Sequence, residues 1–168
     1  VPKAIASAIV AFAAIGAVDA AAQTKYTAEV RRTSFGIAHI KANDFGSAGY
    51  GVGYAFAQDN FCMMADEFMT VRAERSRYLG ATGATPYGTN NLNSDVFYTY
   101  FNGDPAPLKA GLATMKPEVQ AAFRGWVAGY NRYLRDTGTA NLPGGCAIAP
   151  WVRAIDEVDM MRLVRRIT

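Results

Sequence analysis

The run from Gly49 to Asn60 is the feature that most constrains how this chain can fold. It reads Gly-Tyr-Gly-Val-Gly-Tyr-Ala-Phe-Ala-Gln-Asp-Asn, so three glycines alternate with larger residues before the pattern becomes helical. Each glycine in a helix interior costs about 1 kcal/mol relative to alanine. A helix that carries three of them needs a compensating contact, and the run therefore predicts that another backbone packs closely against it.

The same run does not fit a dinucleotide-binding loop. That fingerprint requires a small residue three positions after its second glycine. Tyr54 occupies this position if the motif begins at Gly49, and Phe56 occupies it if the motif begins at Gly51. The glycines therefore favour packing over phosphate binding.

The spacing of apolar residues predicts a mainly α-helical chain with a short N-terminal β-hairpin. Apolar and polar residues alternate over 26–30, which indicates a half-buried strand. Residues 33–36 have the composition of a turn, and residues 37–40 can form a second strand. Three or four helices are expected to follow.

The first of these helices contains the glycine run. Asn43 or Asp44 is its predicted N-terminal cap, and Gly80 is its predicted C-terminal cap. The pair Asp59-Asn60 is expected to break or recap the helix on the way.

The rest of the chain alternates between loops and helices. Residues 81–107 are rich in Gly, Thr, Asn and Pro and predict irregular structure. A helix is expected from Pro117, followed by a loop over 138–150 and a last helix capped by Asp156. The chain ends at Thr168 inside that amphipathic helix, which favours a fragment of a larger protein or one chain of a processed precursor.

Composition supports one domain and argues against nucleic acid as a partner. The 168 residues are 51% hydrophobic, which is enough to bury a core. The net charge is only +3, and the arginines are scattered except for Arg162, Arg165 and Arg166. Cations at a helix C-terminus complement its dipole, and no basic patch typical of nucleic-acid binding is present in the sequence.

Residues 1–22 predict an export signal, and residues 23–168 form the remaining domain. Lys3 precedes an apolar stretch over 5–18 that is too short to span a bilayer, and small residues follow where a signal peptidase cleaves. An ordinary N-terminal helix is the alternative. We expect a periplasmic protein without a stable membrane anchor, or else a secreted one.

No complete active site is apparent in the sequence. The serines lack a G-x-S-x-G context, and there is neither a C-x-x-C motif nor a histidine cluster, so no metal or cofactor is assigned. His39 and Cys62 together would supply a base and a thiol nucleophile. His39 lies in a strand pattern and Cys62 on an apolar helical face, so a packed or capped histidine is favoured.

Three carboxylates, Asp66, Glu67 and Glu74, lie on predicted helix. A catalytic carboxylate pair would need a cleft, whereas ion pairs on a helix surface are common. We therefore expect ion-paired surface residues, with Glu74 meeting Arg77 or Tyr78 at helical spacing.

Cys62 and Cys146 are the only cysteines, and we predict a disulfide between them. An export signal places them in an oxidising compartment, and a loop cysteine can approach one on a helix. The bridge would pin the loop that precedes the last helix. Two buried free thiols are the alternative.

Several segments together resemble the α chain of the penicillin acylase family, and the resemblance extends from about Val30 to Thr168. The run from Gly49 to Asp59 is similar to the family's α-chain signature, and Arg72 to Gly80 resembles its acyl-homoserine-lactone acylase branch. Three further segments agree in order and spacing: Phe35 to Asp44, Gly125 to Leu134, and Pro150 to Ile155.

The resemblance implies an N-terminal-nucleophile amidohydrolase made as one precursor and cut into two chains. It implies a heterodimer of αββα architecture in which a larger β chain begins with the catalytic serine, so this chain would carry no catalytic residue. The implied substrates are N-acyl-homoserine lactones, with β-lactams that carry an apolar acyl side chain as a second class.

The resemblance also implies that Arg166 and Ile167 form part of the acyl pocket. An aliphatic residue at Ile167 would suit an alkyl chain at least as well as a phenyl ring. Ile167 as a core residue and Arg166 as a dipole-complementing end residue are the alternatives. The acidic calcium ligand of some family members would lie beyond Thr168, so no metal is assigned.

A function of a different class also stays open at this stage. The chain would then be a noncatalytic, secreted helical binding module. Its contact surface would be an aromatic loop from Phe97 to Phe101.

Overall fold

The computed structural model describes residues 26–168, so the export signal predicted at 1–22 lies outside the described part of the chain. As predicted, the fold is mainly α-helical with one short hairpin near the N-terminus. Within these residues there is one 3₁₀ turn, Thr139–Asn141, and it precedes the last loop. The elements in chain order are β1 (Ala28–Arg32), β2 (Ala38–Ala42), α1 (Phe45–Val71), α2 (Arg75–Leu79), α3 (Asn91–Asn102), α4 (Pro105–Thr114), α5 (Pro117–Thr137) and α6 (Glu157–Ile167).

The two strands pair antiparallel, with Ala28 opposite Ala42 and Arg32 opposite Ala38. The turn between them contains Gly36 at a φ of 82°, which favours glycine. Arg32 donates to the carboxylate of Asp59 at 3.1 Å and thereby ties the hairpin to α1.

Helix α1 begins as the sequence predicts. Asp44 is its N-cap, and its carboxylate accepts from the backbone N–H of Ser47 at 2.7 Å. This hydrogen bond and one from the Ser47 hydroxyl hold the pKa of Asp44 below its usual range. The predicted break is also confirmed, because Asn60 has non-helical dihedrals and kinks the helix.

The prediction that this helix continues to Gly80 is wrong. Helix α1 ends at Val71, and a separate short helix, α2, reaches Gly80. Ala73 adopts a φ of 59°, and its N–H bonds to the carbonyl of Thr70 while that of Glu74 bonds to Met69. This is a Schellman ending with alanine in the place usually taken by glycine, so the sequence lacks the expected signal.

The glycine run packs against α5 at backbone distance. A Cβ placed on Gly49 would lie 2.1 Å from the carbonyl oxygen of Ala122, and one on Gly53 would lie 2.2 Å from that of Trp126. The relation is reciprocal, since a Cβ on Gly129 would lie 2.1 Å from the carbonyl oxygen of Tyr50. The predicted close approach of another backbone is therefore confirmed.

Gly51, which lies between Gly49 and Gly53, faces the hairpin instead of α5. A Cβ on Gly51 would lie 2.6 Å from Cγ2 of Ile40 and 2.8 Å from Cβ of Ala28. Helix α1 is thus held between α5 on one face and the hairpin on the other.

Aromatic rings also pack between α1 and α5. Tyr130 of α5 stacks on Phe61 with ring centroids 4.7 Å apart and on Trp126 with centroids 5.7 Å apart. Phe68 meets Tyr130 edge-on at 5.5 Å. These rings join the half of α1 that follows the kink to one face of α5.

The expectation of irregular structure over 81–107 is also wrong, because α3 and the start of α4 lie there. Asn90 caps α3 by accepting from the N–H of Asn93 at 2.8 Å. The buried amide of Asn91 donates to the carbonyl of Gly80 at 2.8 Å. Side-chain hydrogen bonds thus support helical structure in a segment of low intrinsic propensity.

Cys62 and Cys146 form a disulfide with their Cα atoms 5.4 Å apart. The bridge joins α1 to the loop after α5. The amide of Asn131 holds the end of the same loop, donating to the carbonyl of Ile155 at 2.8 Å and accepting from its N–H at 2.9 Å. The loop that leads to α6 is therefore held at two points.

Replacing Gly129 by alanine should destabilise the protein, because the added methyl overlaps the backbone of α1. Overpacking of a well-packed core typically costs 1–3 kcal/mol, so we expect a loss of about 2 kcal/mol in the free energy of unfolding. Thermal or denaturant unfolding of the complete protein measures it.

Gly111→Ala is the matched control, because its added Cβ would make only an ordinary contact with Met161 at 3.7 Å. It lies in α4, where alanine favours the helix, so it should leave stability unchanged or raise it slightly. Equal losses in the two variants would contradict the packing argument.

Peptide mapping of the native protein without reductant should recover Cys62 and Cys146 in one cross-linked fragment. The bridge closes a separation of 84 residues, and removing it by Cys62→Ser with Cys146→Ser should cost about 2–4 kcal/mol. Recovery of both cysteines as alkylated free thiols would reject the bridge.

Candidate functional site

The two residues expected at the acyl pocket lie in the last turn of α6, so the site depends on how that helix is anchored. Its start is a capping box. Asp156 accepts from the N–H of Asp159 at 2.8 Å, and Asp159 accepts from the N–H of Asp156 at 3.0 Å. The predicted cap at Asp156 is thereby confirmed.

Asp159 also forms the buried ionic anchor of α6. Its carboxylate pairs with Arg72 at the end of α1, at 2.8 Å from Nε, and with Arg162 at 3.1 Å. Burial alone would raise the pKa of Asp159, but the hydrogen bonds and charge of Arg72 outweigh it and hold the pKa below its usual range. The first turn of α6 is therefore bound to α1.

Beside the last turn of α6 lies a mostly apolar groove of about 410 Å³, called here the apolar groove. Arg166 and Ile167 both line it, so both predicted pocket residues contribute to the wall of one cavity. Ile167 is 73% exposed and is not a core residue of this chain. The other lining residues are Phe56, Met63, Met64, Glu67, Tyr87, Trp126, Met160 and Leu163.

Arg166 is held by a set of specific contacts and is not a free helix-end cation. It forms an ion pair with Glu67 of α1, and its guanidinium lies 4.3 Å from the ring centroid of Tyr87 and 5.9 Å from that of Tyr98. Its side chain is only 13% exposed. This burial lowers the pKa of Arg166 from its usual high value.

A second groove of about 460 Å³, called here the aromatic groove, also has Arg166 in its wall. Arg166 and Tyr87 line both grooves. The remaining wall of the aromatic groove combines aromatic rings with small polar side chains: Thr85, Thr89, Asn93, Ser94, Phe97, Tyr98 and Phe101.

The expected aromatic loop from Phe97 to Phe101 is instead the second half of α3. Phe97 and Phe101 are one helical turn apart, and their rings stack with centroids 5.4 Å apart. Their stack supplies part of the wall of the aromatic groove.

The predicted carboxylates are ion-paired, as expected, but they do not lie on an open helix surface, because the side chains of Asp66, Glu67 and Glu74 are only 27%, 17% and 22% exposed. Asp66 bonds to Arg75 at 2.6 Å, while Glu67 pairs with Arg166. Glu74 pairs with Arg153 at 2.7 and 2.8 Å, so the expectation that it meets Arg77 or Tyr78 is wrong. The loop before α6 brings Arg153 to Glu74, a contact between distant parts of the chain.

The structure does not bring His39 and Cys62 together as a reactive pair, because Cys62 is bonded to Cys146. His39 is exposed on β2 opposite Arg31, so the expectation of a packed or capped histidine is wrong. Within residues 26–168, no cluster of three or more metal-ligating side chains occurs. In the same range, no helix has the length and apolar character needed to cross a membrane.

Sequence reasoning missed most of the apolar groove. Phe56 and Met63 are exposed residues of α1, at 37% and 54%, on a side of the helix away from the core. Trp126 has the helical spacing of a core residue but is only partly buried and faces the groove. Large apolar side chains outside the core stripe are the signal that marks this surface. The groove can therefore bind an apolar chain and place one cation beside it.

Comparison with known proteins agrees with this architecture. The model of the penicillin amidase family matches residues 27–163. The chain is 44% identical over 163 residues to the acyl-homoserine lactone acylase PvdQ of Pseudomonas putida, an alignment that covers 97% of this chain and 21% of that protein. It is 40% identical over 144 residues to the aculeacin-A acylase of Actinoplanes utahensis, covering 82% and 18%.

A solved structure supports the fold. The thermostable penicillin G acylase from Alcaligenes faecalis superposes with a TM-score of 0.66 at 24% identity, covering 82% of this chain and 69% of that one. The chain spans about a fifth of the length of the curated relatives that it matches. Because the family model covers most of the sequence, the chain belongs to the penicillin amidase family.

Proposed function

We propose that this chain is the α subunit of an exported amidohydrolase that cleaves the amide bond of N-acyl-homoserine lactones. Residues 23–168 form the α-subunit domain of an αββα heterodimer, and a larger β chain from the same precursor completes it. The observation that carries the proposal is the apolar groove, which is lined by Arg166 and Ile167 at the end of an anchored helix. The 44% identity to an acyl-homoserine lactone acylase supports the substrate class.

The nucleophile in this proposal is the N-terminal serine of the β chain. Its own α-amine has an ordinary pKa of about 7.7–8.0 and can accept the hydroxyl proton near neutral pH. The serine oxygen then attacks the amide carbonyl, the amine leaves, and water hydrolyses the acyl-enzyme. Donors of the β chain stabilise the oxyanion.

This chain contributes one wall of the acyl-binding pocket. Phe56, Met63 and Trp126 supply apolar surface along the groove, and Ile167 supplies an aliphatic edge. Each methylene of an acyl chain buried there contributes about 0.8 kcal/mol. β-Lactams with an apolar acyl side chain are the second substrate class, in line with 25% identity to the penicillin G acylase of Escherichia coli.

The surface of α3 supports a large partner chain. Val96, Phe97 and Tyr100 are 64%, 54% and 91% exposed, although large apolar side chains are usually covered. Tyr100 and Val96 lie one turn apart on the same side of the helix, which makes a continuous apolar strip.

The proposed location is the periplasm, with secretion as the alternative. The disulfide between Cys62 and Cys146 supports an oxidising compartment. The export signal proposed at residues 1–22 would direct the precursor to that compartment.

Residues 23–168 produced alone should be inactive and should aggregate or unfold without cooperativity, because the apolar groove and the strip on α3 lack their cover. Co-production with the rest of the precursor should restore a soluble enzyme that releases homoserine lactone from its acylated form. Unfolding curves and an amide-hydrolysis assay measure the two properties.

A mass spectrum of the purified native enzyme separates this proposal from the noncatalytic binding module. Two chains, of which the larger begins with serine, support the acylase. A single chain of this size in the mass spectrum supports the binding module instead, especially if thermal unfolding shows that it is soluble and melts sharply.

Ile167→Phe in the processed enzyme should disfavour long linear acyl chains relative to short or phenylacetyl groups, because a ring replaces the aliphatic edge of the groove. A methylene in an apolar pocket is worth about 1–3 kcal/mol, so the ratio of kcat/KM values should change about tenfold. Steady-state kinetics across an acyl series measures the ratio.

Ile37→Phe is the matched control, because Ile37 is likewise exposed, at 63%, but belongs to the hairpin and does not line the apolar groove. It should leave the ratio unchanged. If Ile167→Phe changes kcat/KM equally for all acyl groups, Ile167 does not contact the acyl chain.

A further inference from the structure

We propose that Glu67 and Tyr87 are positioning residues that hold Arg166 as a partition between the apolar and aromatic grooves, and that this partition sets the longest acyl chain accepted. The inference rests on the proposed function for its substrate. The residues that hold Arg166 in place, Glu67 and Tyr87, both lie far from it in sequence.

The first support is the position of Arg166. Its side chain and that of Tyr87 line both grooves, so the two cavities share this boundary. The two volumes, about 410 and 460 Å³, are similar, so joining them would about double the available space.

The second support is charge. Glu67 and Arg166 are 17% and 13% exposed, so each would leave a poorly solvated charge if the other were neutralised. Loss of one partner from such a pair is strongly unfavourable for the charge left behind. Arg166 would then turn toward solvent at the open side of the groove, and its flexible side chain allows this movement.

The third support is the arrangement of Tyr87. Its hydroxyl donates to Oε1 of Glu67, while Oε2 of the same carboxylate pairs with Arg166. Its ring also lies against the Arg166 guanidinium at 4.3 Å, a distance at which cation–π attraction acts. Tyr87 thus orients both members of the ion pair, and its own side chain is 57% exposed overall, so replacing it should not disturb the core.

What lies beyond the partition suits an alkyl chain. The aromatic groove offers the rings of Phe97, Tyr98 and Phe101. An acyl chain that fills the apolar groove would continue along these rings once Arg166 has moved. Short chains would not reach the boundary and would be unaffected.

The test compares the processed two-chain enzyme with its Glu67→Gln and Tyr87→Phe variants on hexanoyl, octanoyl, dodecanoyl and tetradecanoyl homoserine lactones. We expect Glu67→Gln to raise the ratio of kcat/KM for tetradecanoyl over hexanoyl substrate about tenfold, mainly through KM. Tyr87→Phe keeps the ring and loses only the hydroxyl, so it should shift the ratio in the same direction by about threefold.

Glu74→Gln is the matched control. Glu74 also pairs with an arginine, Arg153, at 2.7 and 2.8 Å, but it lines neither groove. This variant should keep the wild-type ratio. An equal shift in Glu74→Gln, or no change of ratio in Glu67→Gln, would overturn the proposal.

A double variant tests whether Glu67 acts through Arg166. Arg166→Ala should itself extend the range of chain lengths, and adding Glu67→Gln to it should change the ratio no further. Additive shifts would mean that Glu67 affects the substrate by another route, and the partition would be rejected.

Failure of the proposed function is a separate result. If the wild-type enzyme hydrolyses no acyl-lactone, the substrate class is wrong. In that case calorimetry tests the partition. It measures the affinities of tetradecanoate and hexanoate for the wild-type enzyme and for Glu67→Gln. An unchanged affinity ratio would overturn it, and a tenfold shift toward tetradecanoate would support it.

Discussion

The backbone contact between α1 and α5 is the constraint on which the rest of the structure depends. Gly49 and Gly53 let the two helices approach until carbonyl groups of α5 lie where side chains would otherwise stand. This approach sets the depth at which Phe61 stacks on Tyr130, and it leaves Trp126 and Phe56 beside each other, with centroids 6.3 Å apart, at the edge of the interface. The apolar groove opens at that edge.

The second constraint is the anchoring of α6, which carries the two residues of functional interest. A buried carboxylate, Asp159, joins its first turn to Arg72, so the helix starts from a point bound to the end of α1. The disulfide and the amide of Asn131 hold the loop that leads to it. The last turn of the helix anchored in this way contributes Arg166 and Ile167 to the apolar groove, which Phe56 and Trp126 also line.

The site therefore combines a rigid support with a charge that is held by long-range contacts. Glu67 belongs to α1 and Tyr87 to the segment before α3, yet both meet Arg166. An arginine in this setting is a structural element of the groove, since its guanidinium is paired, stacked on a ring and shielded from water. Its removal would change the shape of the cavity as well as its charge.

Local chemistry by itself determined the hairpin, the caps at Asp44 and Asp156, the kink near Asn60 and the close approach implied by the glycine run, because each depends on neighbouring residues. Only the tertiary structure decided the helix within 81–107, the alanine ending of α1, and the partners of Glu67 and Glu74. The ion pairs of Glu67 and Glu74 join residues far apart in sequence, and the buried amide of Asn91 ties α3 to the carbonyl of Gly80, so the spacing of apolar residues does not predict them. The ending of α1 is local, but alanine stands where glycine would mark it. The groove belongs to the second group, since its walls come from three helices and one loop that only folding brings together.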